Sequence, residues 1–212
     1  ALSIARFTAA DPCAGLPEPE LLARDSVELD LYRPWDIGVE DAIEIARRCE
    51  AAAFALSPLV TNSEGASVST QQSHFVSANS LGFLGGYPTS RHHVSCSVIA
   101  GAGEDMQRDD WYSTHRDAGE LAAPEAVGEY AARRALSRLG SRRLGTIKVP
   151  VLFEAPLAAT LLGNFVHAAS GGSLYRKASF LVDRLGEPVF SPIVNISERP
   201  HIPRGLGSSA FD

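Results

Sequence analysis

Apolar residues recur along this chain at spacings that predict a helix, then a sheet, then a second helix. From Asp36 to Pro58, and again from Pro124 to Gly140, they repeat every three or four positions, as in amphipathic helices. Between these segments they alternate with polar residues, which is typical of antiparallel strands with one exposed face. The predicted inward residues are Ala42, Ile45, Ala46, Cys49, Ala52, Ala53 and Leu56 in the first helix and Val127, Tyr130, Ala131, Ala135 and Leu139 in the second.

The alternating segment predicts an antiparallel meander. Its first part is rich in Ser, Thr, Gln and Val, and its second part places Val94, Cys96, Val98 and Ala100 on one side at period two. Asn62 to Gly65 and Gly101 to Asp105 have the composition of turns. The predicted strands are residues 66–78, 92–100 and 106–115.

The sequence predicts that a strand and a helix open a second domain after residue 145. Ile147 to Phe153 is a short β-branched apolar run, typical of a buried strand. Pro156 then opens a helix that is apolar nearly all round, which predicts burial, and Gly171 and Gly172 are predicted to end it. Residues 178–212 show little periodicity, so we expect them to be the least ordered or most extended part of the chain.

Composition and charge limit the functions that this chain can have. It has 212 residues, of which 45% are hydrophobic and 21% charged, as in ordinary globular proteins. A formal net charge of −6 argues against nucleic acid as a main partner, because binding phosphates needs a basic face. No apolar run is long enough to span a membrane. Cys13, Cys49 and Cys96 follow no pairing or metal-binding spacing, so we expect reduced thiols in a cytoplasmic protein.

Histidines in the predicted sheet are the first candidates for chemistry. His92 and His93 are consecutive, so they project from opposite faces of a strand and cannot chelate one ion together. A metal surface that also uses His74 and His115 is the alternative to imidazoles that are solvated or hydrogen-bonded. The basic residues from Arg134 to Arg143 are interpreted as a charged helix end, with an anion site as the alternative.

Several long motifs resemble one known family. They are P-W-D-I (34–37), N-S-L-G-F-L-G-G-Y-P-T-S-R-H-H-V-S-C-S-V-I-A (79–100), E-A-V-G-E-Y-A-A-R-R-A-L-S-R-L (125–139), G-G-S-L-Y-R-K (171–177) and G-L-G-S-S-A-F-D (205–212). In this order they resemble the TldE/PmbA family, which belongs to the TldD/PmbA metalloproteases and is also labelled "modulator of DNA gyrase". The resemblance runs from about Leu16 to the last residue. It corresponds to roughly the middle half of the family's chain, so we expect a fragment.

The resemblance implies a helix with the family's shape but without its metal site. In the catalytic TldD-type subunit this helix carries His-Glu-x-x-x-His, whose histidines bind the metal and whose glutamate is the base. Counting back from the shared Arg-Lys pair at 176–177 places those roles on Gly163, Asn164 and Ala168. Glycine and alanine have no donor atom, and an amide is neither a general base nor a usual zinc ligand. His167 lies one residue out of register.

The chain therefore resembles a non-catalytic TldE/PmbA-type subunit of a two-subunit metalloprotease that processes small or unfolded peptides. The resemblance implies no cofactor on this chain, zinc on a TldD-like partner, and a substrate chamber for which the candidates are Asn164, His167, Arg176 and Lys177. Two alternatives stay open: a self-sufficient metallopeptidase with ligands outside this fragment, and a binding or regulatory module without chemistry. A homo-oligomer is a further option for the chain alone. The implied domains are a connector from a missing first domain (1–33), an α+β middle domain (34–145) and the start of a C-terminal metalloprotease-like domain (146–212).

Overall fold

The computed structural model describes residues 2–9, 11, 15–25 and 27–211 of the chain, and it has the predicted α+β class. The chain divides into two compact units, residues 1–141 together with 199–212, and residues 142–198. The helices are α1 (Leu2–Phe7), α2 (Val39–Leu56), α3 (Pro124–Ser137), α4 (Ala155–Ala169) and α5 (Gly171–Tyr175). The strands are β1 (Val60–Ala78), β2 (Leu84–Ala100) and β3 (Gln107–His115).

The strands form an antiparallel sheet in the order β1-β2-β3, which confirms the predicted meander. β3 pairs only with residues 92–100 of β2, so the far half of the β1–β2 hairpin is a two-stranded ribbon. The turn predicted at Asn62 to Gly65 is wrong, because these residues lie within β1. The ladder shifts register there, and Gly65 takes a φ of 109°, so the extra residues are absorbed as bulges.

β2 begins at Leu84, eight positions earlier than the predicted start at residue 92. The glycines and proline of the segment G-G-Y-P-T (85–89) weaken its strand signal, but β1 supplies a hydrogen-bonded partner along the whole length. Gly86 is required by this close pairing, because a Cβ there would lie 2.8 Å from the carbonyl oxygen of Phe75.

Helices α2 and α3 cover one face of the sheet and close the core of the first unit. Both helices were predicted with the inward faces that the structure shows, except at Tyr130, which is 40% exposed and packs on Trp111 with ring centroids 4.4 Å apart. The helices approach each other through small residues, since a Cβ on Gly128 would lie 1.9 Å from the carbonyl oxygen of Cys49. The buried core comprises Cys49, Ala53, Val60, Val94, Cys96, Val98, Ala100, Val127, Ala131, Ala132 and Ala135.

The last described residues return to the first unit. No helix or strand lies within residues 178–211, as their weak periodicity predicted. Residues 199–211 nevertheless have defined contacts within this unit. The backbone N–H of Arg204 donates to the carbonyl of Leu29 at 2.8 Å, and the Phe211 ring packs on Phe75, Phe83 and Tyr87 with centroids 5.1 to 5.8 Å apart.

The second unit departs from its sequence prediction in three ways. None of residues 147–153 lies in a strand, and α4 is not buried within this unit: Leu161 is 51% and Val166 58% exposed. A helix that is apolar all round needs neighbours on every side, and residues 142–198 do not provide them. The predicted glycine stop is also wrong, because Ser170 is extended and Gly171 begins α5.

Cys49 and Cys96 are free and buried, as predicted, whereas Cys13 lies outside the described residues. Within the described part of the chain, no helix combines the length and the apolar character needed to cross a bilayer.

Candidate functional site

Helix α4 and the short helix α5 carry the residues that the family resemblance singles out. Pro156 lies in the first turn of α4, where a missing N–H costs nothing. At the other end, the Ser170 hydroxyl donates to the carbonyl of His167 at 2.8 Å and lies 3.0 Å from the Ser173 hydroxyl. The Ser179 hydroxyl donates to the carbonyl of Ala168 at 2.7 Å. These bonds satisfy carbonyls at the end of α4 and hold the following turn against it.

The side chains at the three motif positions do not fit a zinc site. The side chains of Gly163 and Ala168 have no atom that can bind a metal. Ala168 is buried, whereas a Cβ added to Gly163 would meet no atom within 4 Å. The Asn164 amide donates to the carbonyl of Thr160 on its own helix at 3.0 Å. The whole of α4 contains one imidazole and no carboxylate, whereas a catalytic zinc needs three protein ligands.

His167 is exposed, and its position does not replace the missing ligand. It is one residue before position 168, which moves its side chain about 100° round a regular helix. Its backbone carbonyl accepts a hydrogen bond from the Ser170 hydroxyl. The imidazole is the part of His167 that could contact a ligand. Among the described residues, no three His, Cys, Asp or Glu side chains are placed to share one metal ion.

Arg176 and Lys177 follow α5 and are exposed. The Arg176 guanidinium folds back over the short helix and lies close to Gly172. A Cβ added to Gly172 would be 3.3 Å from Nη1 of Arg176. Lys177 takes a left-handed φ of 54°, and its N–H donates to the carbonyl of Leu174 at 3.0 Å. Within the described residues, no hydrogen bond or ion pair joins this basic pair to Asn164 or His167. The four proposed chamber residues stay a prediction.

The second unit has an apolar cavity beside α4, and cavities of about 300 to 1,000 Å³ are typical of sites for small ligands. Its volume is about 530 Å³. Phe165 forms one wall, and its ring packs edge-on against Phe190 with centroids 5.1 Å apart. No pattern in the sequence indicates this cavity, because most of its wall comes from the turns after residue 178. Its other apolar lining residues are Ala169, Leu174, Leu181, Val182, Leu185 and Val189.

Two histidines of the sheet, His92 and His93, have hydrogen-bond partners within the protein. His92 is fully buried, with Nδ1 2.9 Å from the Thr70 hydroxyl and Nε2 2.7 Å from the carbonyl of Arg33. His93 lies on the other face, with Nδ1 2.7 Å from the Thr114 hydroxyl, and burial lowers its pKa. These contacts favour the hydrogen-bonded interpretation over a metal surface.

The basic end of α3 is neutralised in part by Asp109. Its carboxylate accepts Arg134 Nε at 2.9 Å and Arg138 Nη1 at 3.3 Å. Burial alone would raise the pKa of Asp109, but the two arginines and the N–H of Asp110 outweigh burial and lower it. This pairing agrees with a charged helix end and leaves Arg134 and Arg138 engaged.

Sequence profiles of metallopeptidase domains match both parts of the chain. The PmbA/TldA metallopeptidase central domain matches residues 32–139, and the PmbA/TldA metallopeptidase C-terminal domain matches residues 146–212. The chain belongs to the PmbA/TldA metallopeptidase family, and the resemblance found in the sequence is confirmed.

Curated relatives agree with this assignment. The chain is 45% identical to Metalloprotease PmbA of Escherichia coli O157:H7 and 42% identical to the Metalloprotease PmbA homolog of Haemophilus influenzae, in both cases over all 212 residues. Each match covers 47% of the relative. The chain thus spans about half the length of the curated relatives that it matches.

Solved structures show the same fold. A candidate modulator of DNA gyrase from Bacteroides thetaiotaomicron superposes with a TM-score of 0.91 at 23% identity, covering 100% of this chain and 49% of that one. A second candidate modulator of DNA gyrase, from Thermotoga maritima, gives a TM-score of 0.80 at 25% identity and covers 90% of this chain and 44% of that one.

Proposed function

We propose that this chain is part of a non-catalytic, TldE/PmbA-type subunit of a two-subunit metalloprotease. In this proposal a TldD-like partner supplies the zinc ion and the general base, and the pair cleaves small or unfolded peptides. Membership of the metallopeptidase family supports the reaction class. The side chains of α4 support the division of labour between the two subunits.

The observation that carries the proposal is the set of side chains on α4. Hydrolysis at a zinc ion needs ligands that hold the metal and a base that takes a proton from its water. At the motif positions α4 offers a hydrogen atom, a carboxamide and a methyl group, from Gly163, Asn164 and Ala168. None of these groups binds zinc strongly or takes up a proton near neutral pH.

The role left to this chain is to complete the chamber and hold substrate. The apolar cavity beside Phe165 has the size for one or two apolar side chains of a peptide. Arg176 and Lys177 are exposed cations that suit a peptide's carboxylates, while Asn164 and His167 offer hydrogen bonds. These four residues are the proposed polar contacts with substrate.

A protein partner is supported by the apolar residues that the second unit exposes. Leu152 is 97%, Leu157 51% and Leu161 51% exposed, far more apolar surface than a stable monomer usually leaves open. The net charge of −6 favours a protein partner over nucleic acid. The cytoplasm is the proposed compartment, supported by the free thiols of Cys49 and Cys96.

Reconstitution with a catalytic subunit tests the proposal. The full-length protein should not cleave an unfolded peptide alone, and chelator-sensitive cleavage should appear when a TldD-like subunit with a complete His-Glu-x-x-x-His motif is added. Cleavage by the single subunit that is lost in His167→Ala, but not in the exposed control His201→Ala, would instead establish a self-sufficient enzyme. Absence of cleavage in the mixture, with both subunits folded, would favour a module without chemistry.

A further inference from the structure

We propose that the far half of the β1–β2 hairpin carries a binding site for a small oxyanion, a carboxylate or a phosphate group, between Arg91 and Arg116. The site lies in the first unit and involves none of the residues of α4. It therefore does not depend on the proposed metalloprotease role.

The sheet register places the two arginines side by side. His92 on β2 pairs with His115 on β3. Arg91 comes immediately before His92, and Arg116 immediately after His115, where β3 ends, so the two arginines lie next to each other at the end of the β2–β3 ladder. Arg91 projects from the face of β2 opposite the buried His92, and both guanidinium groups reach the carbonyl of Leu206.

Arg116 is a buried cation whose recorded partners are all neutral. It is 6% exposed, and it donates from Nε to the carbonyl of Gly205 at 2.9 Å and from Nη1 to that of Ser90 at 3.2 Å. Nη2 donates to the carbonyls of Leu206 at 3.2 Å and Ser208 at 3.3 Å. A guanidinium has five N–H groups, so these bonds leave one Nη1 hydrogen for another acceptor.

Arg91 brings a second positive charge to the same place. Its Nη2 donates to the carbonyl of Leu206 at 3.2 Å, the carbonyl that Arg116 also uses. In the described part of the chain, neither guanidinium is paired with a carboxylate. Burial and the charge of Arg91 both lower the pKa of Arg116. This is expected for two neighbouring cations that have no carboxylate between them.

A polar cavity of about 190 Å³ opens beside the two arginines. A site for one water needs only about 10 to 15 Å³ measured in this way, so the cavity has room for an oxyanion with part of its water shell. The hydroxyls of Ser73 and Thr89 and the amide of Gln71 line it together with Arg91 and Arg116. Each of these side chains can donate a hydrogen bond to an oxygen.

These features together fit an oxyanion better than a purely structural clamp. Holding the carbonyls of residues 205–208 needs one arginine, and Arg116 alone makes bonds to three of them. Arg91 adds an exposed guanidinium with free donors, and arginine forks bind carboxylate and phosphate through paired hydrogen bonds. A bound anion would also neutralise the repulsion between the two guanidinium groups.

Titration of the full-length protein, followed by NMR or calorimetry, tests the site. The probes are inorganic phosphate, N-acetylglycine as a carboxylate, and N-acetylglycinamide as its neutral counterpart. We expect saturable binding of phosphate or N-acetylglycine, and the probe that saturates identifies the source of the oxyanion. The neutral amide should not saturate.

Arg91→Gln should weaken that binding about tenfold or more, because it removes one of the two charge-assisted donors. Arg91 is exposed, so this variant should fold; Arg47→Gln, at an exposed position of α2, is the control with the same charge change and should bind as the unaltered protein does. The proposal is overturned if neither anion binds, or if Arg91→Gln and Arg47→Gln weaken binding equally.

Discussion

Gly128 and Gly163 are both glycines inside helices, yet their surroundings give them opposite tolerance to a side chain. A Cβ on Gly128 would lie 1.9 Å from the backbone oxygen of Cys49, whereas a Cβ on Gly163 would meet no atom within 4 Å. Gly128→Ala should therefore force α2 and α3 apart and lower the free energy of unfolding by about 3 kcal/mol or more. Gly163→Ala should be neutral or stabilise α4 by up to about 1 kcal/mol.

Chemical denaturation of the two alanine variants beside the unaltered protein measures this contrast. Equal unfolding free energies for Gly128→Ala and the unaltered protein would show that the two helices do not pack as closely as described.

Asp109 gives the first unit a pH-dependent contribution to stability. Its side chain is 12% exposed and pairs with Arg134 and Arg138, and its pKa is lowered. A carboxyl whose pKa is lower in the folded state stabilises that state above its unfolded pKa of about 3.9, and the contribution is lost as pH falls through the folded pKa. Asp109→Asn should cost about 1 to 3 kcal/mol at pH 7.

The difference in free energy of unfolding between Asp109→Asn and the unaltered protein should disappear in acid. Below about pH 4 the Asp109 carboxyl becomes increasingly protonated and so loses the charge that the variant lacks. Urea denaturation of both proteins at several pH values checks this. A stability difference that stays constant from pH 7 to about pH 3 would contradict the pairing.

At the level of single residues, a sequence motif assigns candidate positions on α4, whereas no sequence pattern indicates the contacts of Arg116. Gly163, Asn164 and Ala168 could be located because they stand at a fixed distance from a recognisable Arg-Lys pair. Arg116 could not, because its partners Gly205, Leu206 and Ser208 lie about ninety residues further along the chain. No local pattern encodes a contact of that separation.

At the scale of elements, the predictions succeeded where an element finds its partner within the chain. The inward faces of α2 and α3 pack on β2, so their helical periodicity corresponds to observed burial. The strand predicted at residues 147–153 and the burial predicted for α4 failed in the second unit. An apolar pattern indicates that a segment must pack against other residues, but it does not identify those residues.

The aromatic contacts of Phe211 should stabilise the far end of the β1–β2 hairpin. Its ring packs on Phe75, Phe83 and Tyr87, and a two-stranded ribbon on its own is only marginally stable in water. Phe211→Ala should therefore cost about 1 to 2 kcal/mol, mainly as local opening of the ribbon. Hydrogen exchange should show faster exchange at residues 72–90 and little change in α2 and α3. Unchanged exchange in the ribbon would contradict this account.

At the scale of the whole molecule, the two units differ in how much of their apolar surface they bury. The first unit has a closed core of small and β-branched residues. In the second, Leu152, Leu185 and Ile193 are 97%, 103% and 86% exposed. The chain spans about half the length of its curated relatives. The proposed partner subunit could bury part of this exposed apolar surface. This surface is where the proposed assembly should be tested by substitution.

Helix α4 is proposed to have the shape of the family's metal-binding helix without its metal site, and metal analysis of the purified subunit can check this. Inductively coupled plasma mass spectrometry on the full-length protein, after exposure to zinc and removal of the excess, should find well below one zinc per chain. His167→Ala should leave that value unchanged. About one tightly held zinc per chain that is lost in His167→Ala would contradict the account and assign this chain a metal centre of its own.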